Sequence, residues 1–383
     1  MRLLFITCGG ATVQALATLA TAARTAGHQV IVTSQEESVD AIAALGLPAV
    51  SVTPLTFVEA IFHDREGRPV PPPPDADSEW VFAGQGFARM AAASYPAVDE
   101  IARDWKPDIV VGGTHSHAAA LVARRHGIPY VRQAWDMHER DERAVRPAAE
   151  ELRPELTALG LDAIPEPDID IEIAPPSILP GNRRPDRFMR CLPTNHQRPL
   201  EPWVYRRPEG RKRVLMTTGS RAAMDPEHLG APFFGRMLDV PALASDDVEV
   251  VIATMDEIAA ELRSARPDVR AGWVPLDSVT WTADLFVHHG GGVTAMTALA
   301  AGVPQLVLPE IYATAEAFYR VDRLGASITF PNNLEPVENV AAACEKMLSD
   351  PSYAARAAEL GEETLALPAP GEVLGSLEEL AGR

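Results

Sequence analysis

Short apolar runs recur along this chain, each closed by a glycine or polar turn and followed by residues whose apolar positions lie three and four apart. Residues 2–7 (RLLFIT) form the first run, Cys8-Gly9-Gly10 the turn, and 11–27 the helical stretch, with Gly27 placed as its C-cap. Residues 28–34 (HQVIVTS) read as the next strand. A strand–helix–strand unit with so short a turn implies a parallel pair joined by a right-handed crossover. The rhythm continues with a helix over 37–46 and a strand over 48–53. After an interruption it resumes with a helix over 87–105, a strand over 106–113, a helix over 117–127 and a strand over 128–134.

Two stretches break the pattern. Residues 55–85 contain FHDREGRPVPPPPDADSE and predict a long surface loop. Residues 164–210 are Pro-rich, with short strands between the prolines. They read as the last strand of a first domain followed by a linker. The alternation then restarts. Strands are predicted at 211–220, 247–255, 269–275, 284–292, 304–309 and 326–330, with helices between them and two more helices before the end. The expected division is a first domain over 1–190, a linker over 191–210 and a second domain over 211–365. A C-terminal helix over 366–383 is expected to pack back toward the first domain. The fold class is α/β, with two Rossmann-like doubly wound domains facing a central cleft. Ligands of such sheets sit beyond the C-terminal ends of the strands.

Composition narrows the function. With 383 residues there is ample chain for two cores. The formal net charge of −19 disfavours nucleic acid and anionic membrane surfaces, which are met by clustered Lys and Arg. The three cysteines, Cys8, Cys191 and Cys344, form no CxxC pair, so neither a disulfide framework nor a zinc site is expected, and a reducing cytoplasm fits. Residues 1–10 lead into a βα unit rather than a cleavage site, and no apolar stretch is long enough to span a membrane.

The densest motif is VHHGGGVTAM, residues 287–296, between a predicted strand and a predicted helix. A helix N-terminus exposes unsatisfied N–H groups and a partial positive charge, and glycines let a backbone approach an anion closely. His289 can donate to a phosphate oxygen, Gly290, Gly291 and Gly292 give access, and Thr294 adds a hydroxyl. The pattern suits a diphosphate. A packed turn without ligand remains the alternative on spacing alone.

The run GWVPLDSVTWTADLFVHHGGGVTAMTALAAGVPQLVLP, with AARTAGHQVIV, APPSILP and RVLMTTGSR elsewhere, resembles the GT-B glycosyltransferases of actinomycetes that attach deoxysugars to polyketides and other natural products. The resemblance covers nearly the whole chain. It implies a metal-independent, inverting hexosyltransferase with no cofactor, whose donor substrate is a TDP-deoxysugar and whose acceptor is an aromatic polyketide. It implies that His289 and Gly291 contact the α-phosphate side and Thr294 the β-phosphate side. Trp273 and Val274 would border the base, and Ser220 would face the diphosphate. His288 is expected to point away into the core. A nucleotide-sugar donor and the acceptor are the partners expected, and a homodimer is left open.

The chain departs from that family in two places. Many relatives carry a histidine base in the first βα loop. Here the loop is TCGGATVQAL, where Gln14 is the sizeable polar side chain. Asp136, after the strand 128–134, is the candidate base, at a position resembling the catalytic aspartate of aromatic-polyketide glycosyltransferases, C-glycosyltransferases among them. His138, His115 and His117 are alternatives at the same edge. After LVLP, many relatives place an Asp-Gln pair for sugar hydroxyls, whereas Ala313 and Thr314 stand here. That suits a sugar with few hydroxyls, with Glu310 or Glu316 left to hold one. The acceptor side is expected to use Gln14, Phe57, Trp80, Phe82, His115 and His138, with Phe62, Phe87 and Met90 adding apolar area for a flat polycycle, although core packing explains most of these aromatics equally well. A nucleotide-sugar epimerase and a non-catalytic partner protein on the same fold are the competing readings.

Overall fold

The computed structural model describes all residues except Pro208, Met224 and Arg383, and the side chains of Ser220, Ala223 and Tyr312. The chain forms two compact units. The first comprises residues 1–174, 180–190 and 367–383, and the second 175–179 and 191–366.

The first unit is built on seven parallel strands: β1 (Arg2–Ile6), β2 (Gln29–Gln35), β3 (Ala49–Thr53), β4 (Ile109–Gly112), β5 (Tyr130–Gln133), β6 (Ile169–Glu172) and β7 (Arg187–Phe188). Their order is β3-β2-β1-β4-β5-β6-β7, so the winding reverses between β1 and β4. Leu3, Leu4 and Phe5 of β1 have no exposed surface. Helices cover both faces of such a sheet, which is why its strands read as continuous apolar runs. The crevice at a reversal opens at the C-terminal strand ends. Here those ends carry residues 7–10 and 113–117.

One stretch of this unit folds differently from its sequence reading. Residues 55–85 are not one loop. Phe57–Phe62 is a helix, started by a capping box in which Thr56 Oγ1 accepts from Glu59 N and the Glu59 carboxylate accepts from Thr56 N. A second helix runs from Ala76 to Trp105, eleven residues longer than expected at its start, with the Asp75 side chain capping Ser78 N. Residues 367–383 belong to the first unit. Pro368 O accepts from Arg190 N at 2.7 Å, Ser376 Oγ from Arg187 Nε at 2.8 Å, and Glu378 lies 3.0 Å from His28 Nε2.

The second unit holds six parallel strands: β8 (Lys212–Thr217), β9 (Val248–Ala253), β10 (Arg270–Gly272), β11 (Leu285–His288), β12 (Gln305–Val307) and β13 (Ser327–Thr329). The order β10-β9-β8-β11-β12-β13 reverses between β8 and β11. Residues 191–210, expected as a linker, are part of this unit. Asn195 Oδ1 accepts from Asp277 N, Gln197 Nε2 donates to Asp277 Oδ2, and Arg198 and Arg207 pair with Asp256 and Asp284. Proline-rich chain satisfies few of its own polar groups, so it is fixed by the side chains it runs over. Residues 175–179 join the same unit: Ile178 O accepts from Arg320 Nε at 2.6 Å and Ser177 N donates to Glu363.

Candidate donor and acceptor sites

In the second unit, the turns after β8 and β11 meet at the reversal of the sheet. All of β11 is buried, and its last residue, His288, and the following His289 diverge as alternation along an extended chain requires. His288 turns into the core, with its ring edge-on to Phe286 and Phe318. Its Nε2 meets Gln305 Oε1 at 2.9 Å, and its Nδ1 accepts from Gly290 N at 3.1 Å. The second bond fixes the turn, and Gly290 has φ +83, where a side chain would be strained and its Cβ would crowd Pro309.

His289 faces the other way. Two glycine turns close on its Cε1–Nε2 edge. A Cβ on Gly291 would lie 2.8 Å from Nε2, and one on Gly219 would lie 2.9 Å from Cε1. Only glycine leaves that edge open. Burial first, and the Arg221 guanidinium second, push the His289 pKa down to about 4, against the Thr217 backbone, which favours the charged form. The ring is therefore neutral at pH 7. Gly291 is the N-cap of the helix Gly292–Ala301 and provides no side-chain cap, so the first-turn N–H groups keep their donor capacity. Thr294 is buried in that turn, and its Oγ1 borders the space a Gly291 Cβ would fill.

The TTG turn after β8 is held by its own hydroxyls. Thr217 Oγ1 donates to Ala253 O and accepts from Gly219 N, and Thr218 Oγ1 donates to Leu229 O. Ser220 lies in the following 3-10 turn, and its side chain is outside the described residues. Arg221, not singled out by the sequence, reaches Glu310 side-on, with Nε 2.7 Å from Oε2 and Nη2 on Oε1. Glu310 N donates to His289 O, so the pair sits beside the cradle. Glu310, expected to be free for a sugar hydroxyl, has both oxygens engaged by Arg221, each with a lone pair left over. Glu316 is exposed in the first turn of the helix Ala315–Arg323. Ala313 is buried, and Thr314 Oγ1 donates to Ile311 O, so neither offers a sugar a carboxamide or carboxylate. Trp273 is 38% exposed, with Nε1 donating to His196 O and the Arg198 guanidinium 5.2 Å above its ring. Val274 is buried in the core with Val279 and Phe286, which leaves its backbone as the means of contact.

In the first unit, the ends of β1, β4 and β5 bring together a different chemistry. Phe87 stacks on His115 at 5.0 Å. Trp135 lies 5.4 Å from His115 and 5.5 Å from Phe87, and Phe57 meets Phe87 edge-on. Cys8, Met90 and Ala60 floor this cluster. The Cys8 thiol is pushed up to about 12 by burial, which leaves it inert. Asp136 is 8% exposed. Its Oδ1 accepts from His138 N at 2.8 Å and lies 3.0 Å from His138 Nδ1. Burial pushes His115 down to about 4, helped by Arg140 and Arg132, and holds His117 well below its usual value. His115 Nδ1, His117 Nε2 and Thr114 Oγ1 are enclosed without hydrogen-bond partners.

The structure therefore gathers Asp136, His138, His115, Phe57 and Phe87, and adds Trp135. It does not gather Trp80 or Phe82. Trp80 lies under the Arg143 guanidinium, and Phe82 packs edge-on against Phe62. Gln14 is half-buried on the first helix. Trp135 had a signal in its place directly after a strand end, beside Asp136. Among the described residues no group of three or more His, Cys, Asp or Glu could hold a metal ion, and no helix is long and apolar enough to cross a membrane.

Two doubly wound parallel sheets, the second with a glycine-lined helix N-terminus at its reversal, define a GT-B glycosyltransferase, and comparison with known proteins agrees. Residues 83–219 match the N-terminal domain, and 237–380 the C-terminal domain, of the family described as erythromycin biosynthesis protein CIII-like. The L-demethylnoviosyl transferase of Streptomyces niveus is 32% identical over 361 residues, 93% of this chain and 92% of that protein. The aclacinomycin-T 2-deoxy-L-fucose transferase of Streptomyces galilaeus is 28% identical over 440 residues, 99% and 96% of the two chains. The crystal structure of the glycosyltransferase SsfS6 of Streptomyces sp. SF2575, complexed with thymidine diphosphate, superimposes with a TM-score of 0.84 at 30% identity, covering 99% of each chain. The chain belongs to this family of actinomycete deoxysugar glycosyltransferases.

Proposed function

We propose that the protein is an inverting glycosyltransferase that moves a deoxysugar from thymidine diphosphate to an aromatic polyketide-type acceptor. The observation that carries this reading is the open Cε1–Nε2 edge of a neutral His289 beside the uncapped N-terminus of the helix Gly292–Ala301. A neutral imidazole donates one N–H, and the helix adds N–H groups and a partial positive charge. These donors stabilise negative charge that builds on a departing diphosphate without needing to reorganise. SsfS6, solved with thymidine diphosphate, supports the choice of base. The buried Ala313 and the self-bonded Thr314 favour a sugar with few hydroxyls.

On the acceptor side, the Phe57–Phe87–Trp135–His115 cluster offers ring surface for a flat polycycle. Asp136 is the general base, with His138 holding its carboxylate in place. A phenol losing its proton becomes nucleophilic at oxygen and at its ortho carbon, and a C-glycosidic product belongs to this reading. Attack on the face opposite the diphosphate inverts the anomeric centre. Cys8, Cys191 and Cys344 form no disulfide, which suits a reaction run in a reducing cytoplasm.

The test begins with thermal shift and calorimetry using TDP and UDP on the wild type and His289→Ala. TDP should stabilise the wild type more than UDP does, and the variant should lose most of that effect. No shift with either nucleotide sinks the donor site and favours a non-catalytic partner protein. Asp136→Asn should then cut turnover by roughly 10²- to 10⁴-fold with TDP affinity unchanged. Unchanged turnover removes Asp136 as the base.

A further inference from the structure

The cradle is short of positive charge. A nucleoside diphosphate brings about two negative charges, and the protein itself carries a formal −19. His289 is neutral, so it contributes a hydrogen bond and no charge. A helix N-terminus contributes roughly half a positive charge. A full positive charge must come from a side chain, and the cation whose field reaches the His289 ring is Arg221.

Arg221 is also placed for the task. It follows Gly219 by two residues, and Gly219 is one of the two glycines that close on the His289 edge. It is held through Nε and Nη2 by Glu310, whose own backbone N–H is tied to His289 O. The guanidinium is 25% and the carboxylate 19% exposed, so the pair is partly withdrawn from water without being sealed from a ligand. A carboxylate alone beside a diphosphate would repel it, which makes an isolated Glu310 an unfavourable neighbour for the donor.

We propose that Arg221 is the cation that binds the donor diphosphate, and that Glu310 is the residue that positions Arg221, not a partner of the sugar. The proposal rests on the reading of the cradle as a diphosphate site. It also extends to the reaction. As the sugar–phosphate bond breaks, negative charge grows on the diphosphate, and a guanidinium beside it stabilises that growth more than it stabilises the bound donor.

Isothermal titration with TDP and with thymidine, on wild type, Arg221→Gln, Arg221→Lys, Glu310→Gln and the Arg221→Gln/Glu310→Gln pair, tests this. Arg221→Gln should weaken TDP roughly 10- to 100-fold, the loss expected for a charge-assisted pair, and leave thymidine unchanged. Arg221→Lys keeps the charge and loses the fork, so its affinity should fall between the two. Glu310→Gln should weaken TDP by itself, and in the Arg221→Gln background, where the carboxylate stands alone against the diphosphate, it should cause no further loss and recover part of the affinity. TDP affinity within twofold of wild type in Arg221→Gln overturns the proposal. Additive losses in the double variant overturn the role of Glu310 and return it to direct contact with the donor. If Arg221→Gln loses thymidine as well, the turn has collapsed, and Arg221→Lys decides: TDP binding that Lys fails to recover, with thymidine binding intact, counts for the fork, and equal wild-type binding of both counts against it. A wild type that binds no TDP removes the diphosphate reading itself, a result distinct from all of these.

Discussion

Gly291→Ala should separate binding from stability, because the added methyl meets a functional edge and little else. Gly291 has φ −68 and ψ 127, ordinary values for an L-residue, so alanine adds no backbone strain. Its Cβ would sit 2.8 Å from His289 Nε2 and 2.9 Å from Cε1, against an optimum of about 3.5–4.0 Å, so the ring must move by roughly an ångström. The third neighbour, Thr294 Oγ1 at 3.4 Å, is an ordinary contact. Two small effects on stability oppose each other. Alanine restricts the unfolded chain, worth about 0.4–1 kcal/mol, and is a poorer N-cap than glycine by a similar amount. The net change should stay within about 1 kcal/mol, a few degrees in Tm for a unit of this size. The ligand's loss is larger. Displacing His289 and filling the edge removes one hydrogen bond to a charged group, about 1.5–3 kcal/mol, so TDP affinity should fall roughly 10- to 150-fold. Gly219→Ala is the contrast. It has φ +58, which adds about 1–2 kcal/mol of strain, so it should lose both stability and TDP binding. Apo Tm by scanning calorimetry and TDP affinity by isothermal titration give the two axes. If Gly291→Ala binds TDP within twofold of wild type, the His289 edge is not the ligand face. If its Tm falls as far as that of Gly219→Ala, the glycine serves packing.

The buried histidines set a pH limit. Folded values of about 4 for His115 and His289 and about 3 for His288 lie below the ordinary 6.5, so below pH 6.5 the unfolded chain binds more protons. The stability these groups give is complete above 6.5 and is lost as pH falls toward 4, at up to about 1.4 kcal/mol per pH unit for each. Relief of the overall negative charge acts in the other direction and is screened at physiological salt. The urea midpoint should therefore fall from pH 7 to pH 5, and a constant or rising midpoint refutes the assignment. Gly84→Ala should destabilise the first unit by about 2–3 kcal/mol or more, because its Cβ would overlap the Ala144 carbonyl where the helices Ala76–Trp105 and Glu142–Glu151 touch; a Tm within 2 °C of wild type, on the order of 1 kcal/mol, would count against that packing. His138→Asn keeps the backbone N–H that holds Asp136 and removes the ring, so turnover should fall less than in Asp136→Asn. An equal fall makes the ring itself a participant in proton transfer.

What could be read from the sequence tracks how local each feature is. Strands such as β1, β4, β8 and β11 were legible because each is a short, almost wholly buried apolar run bounded by turns, whereas β7, two residues with Arg187 exposed, carries no such signal. The donor cradle was legible because His289, the glycines and Thr294 are contiguous, and a strand end followed by a helix start fixes their geometry. Gly219 and Arg221 complete it from 70 residues away. No pattern in VLMTTGSR says that this turn closes on that histidine; only the neighbouring places of β8 and β11 in the sheet do. The acceptor cluster is assembled from the Phe57–Phe62 helix, the long helix, and the ends of β1, β4 and β5. Aromatic content therefore named the class of residue without saying which members meet: Phe87 packs against His115 and Trp135, whereas Phe82, five residues and about one and a half helical turns earlier, packs against Phe62. Prolines and charges hid the helix at 57–62, although Thr56 and Glu59 carry the spacing of a capping box. Local signals can be overruled by composition when they are read by density instead of by position. The same logic orders the experiments, since a contiguous motif can be tested one residue at a time, whereas Arg221 and Glu310 disclose their role only as a pair.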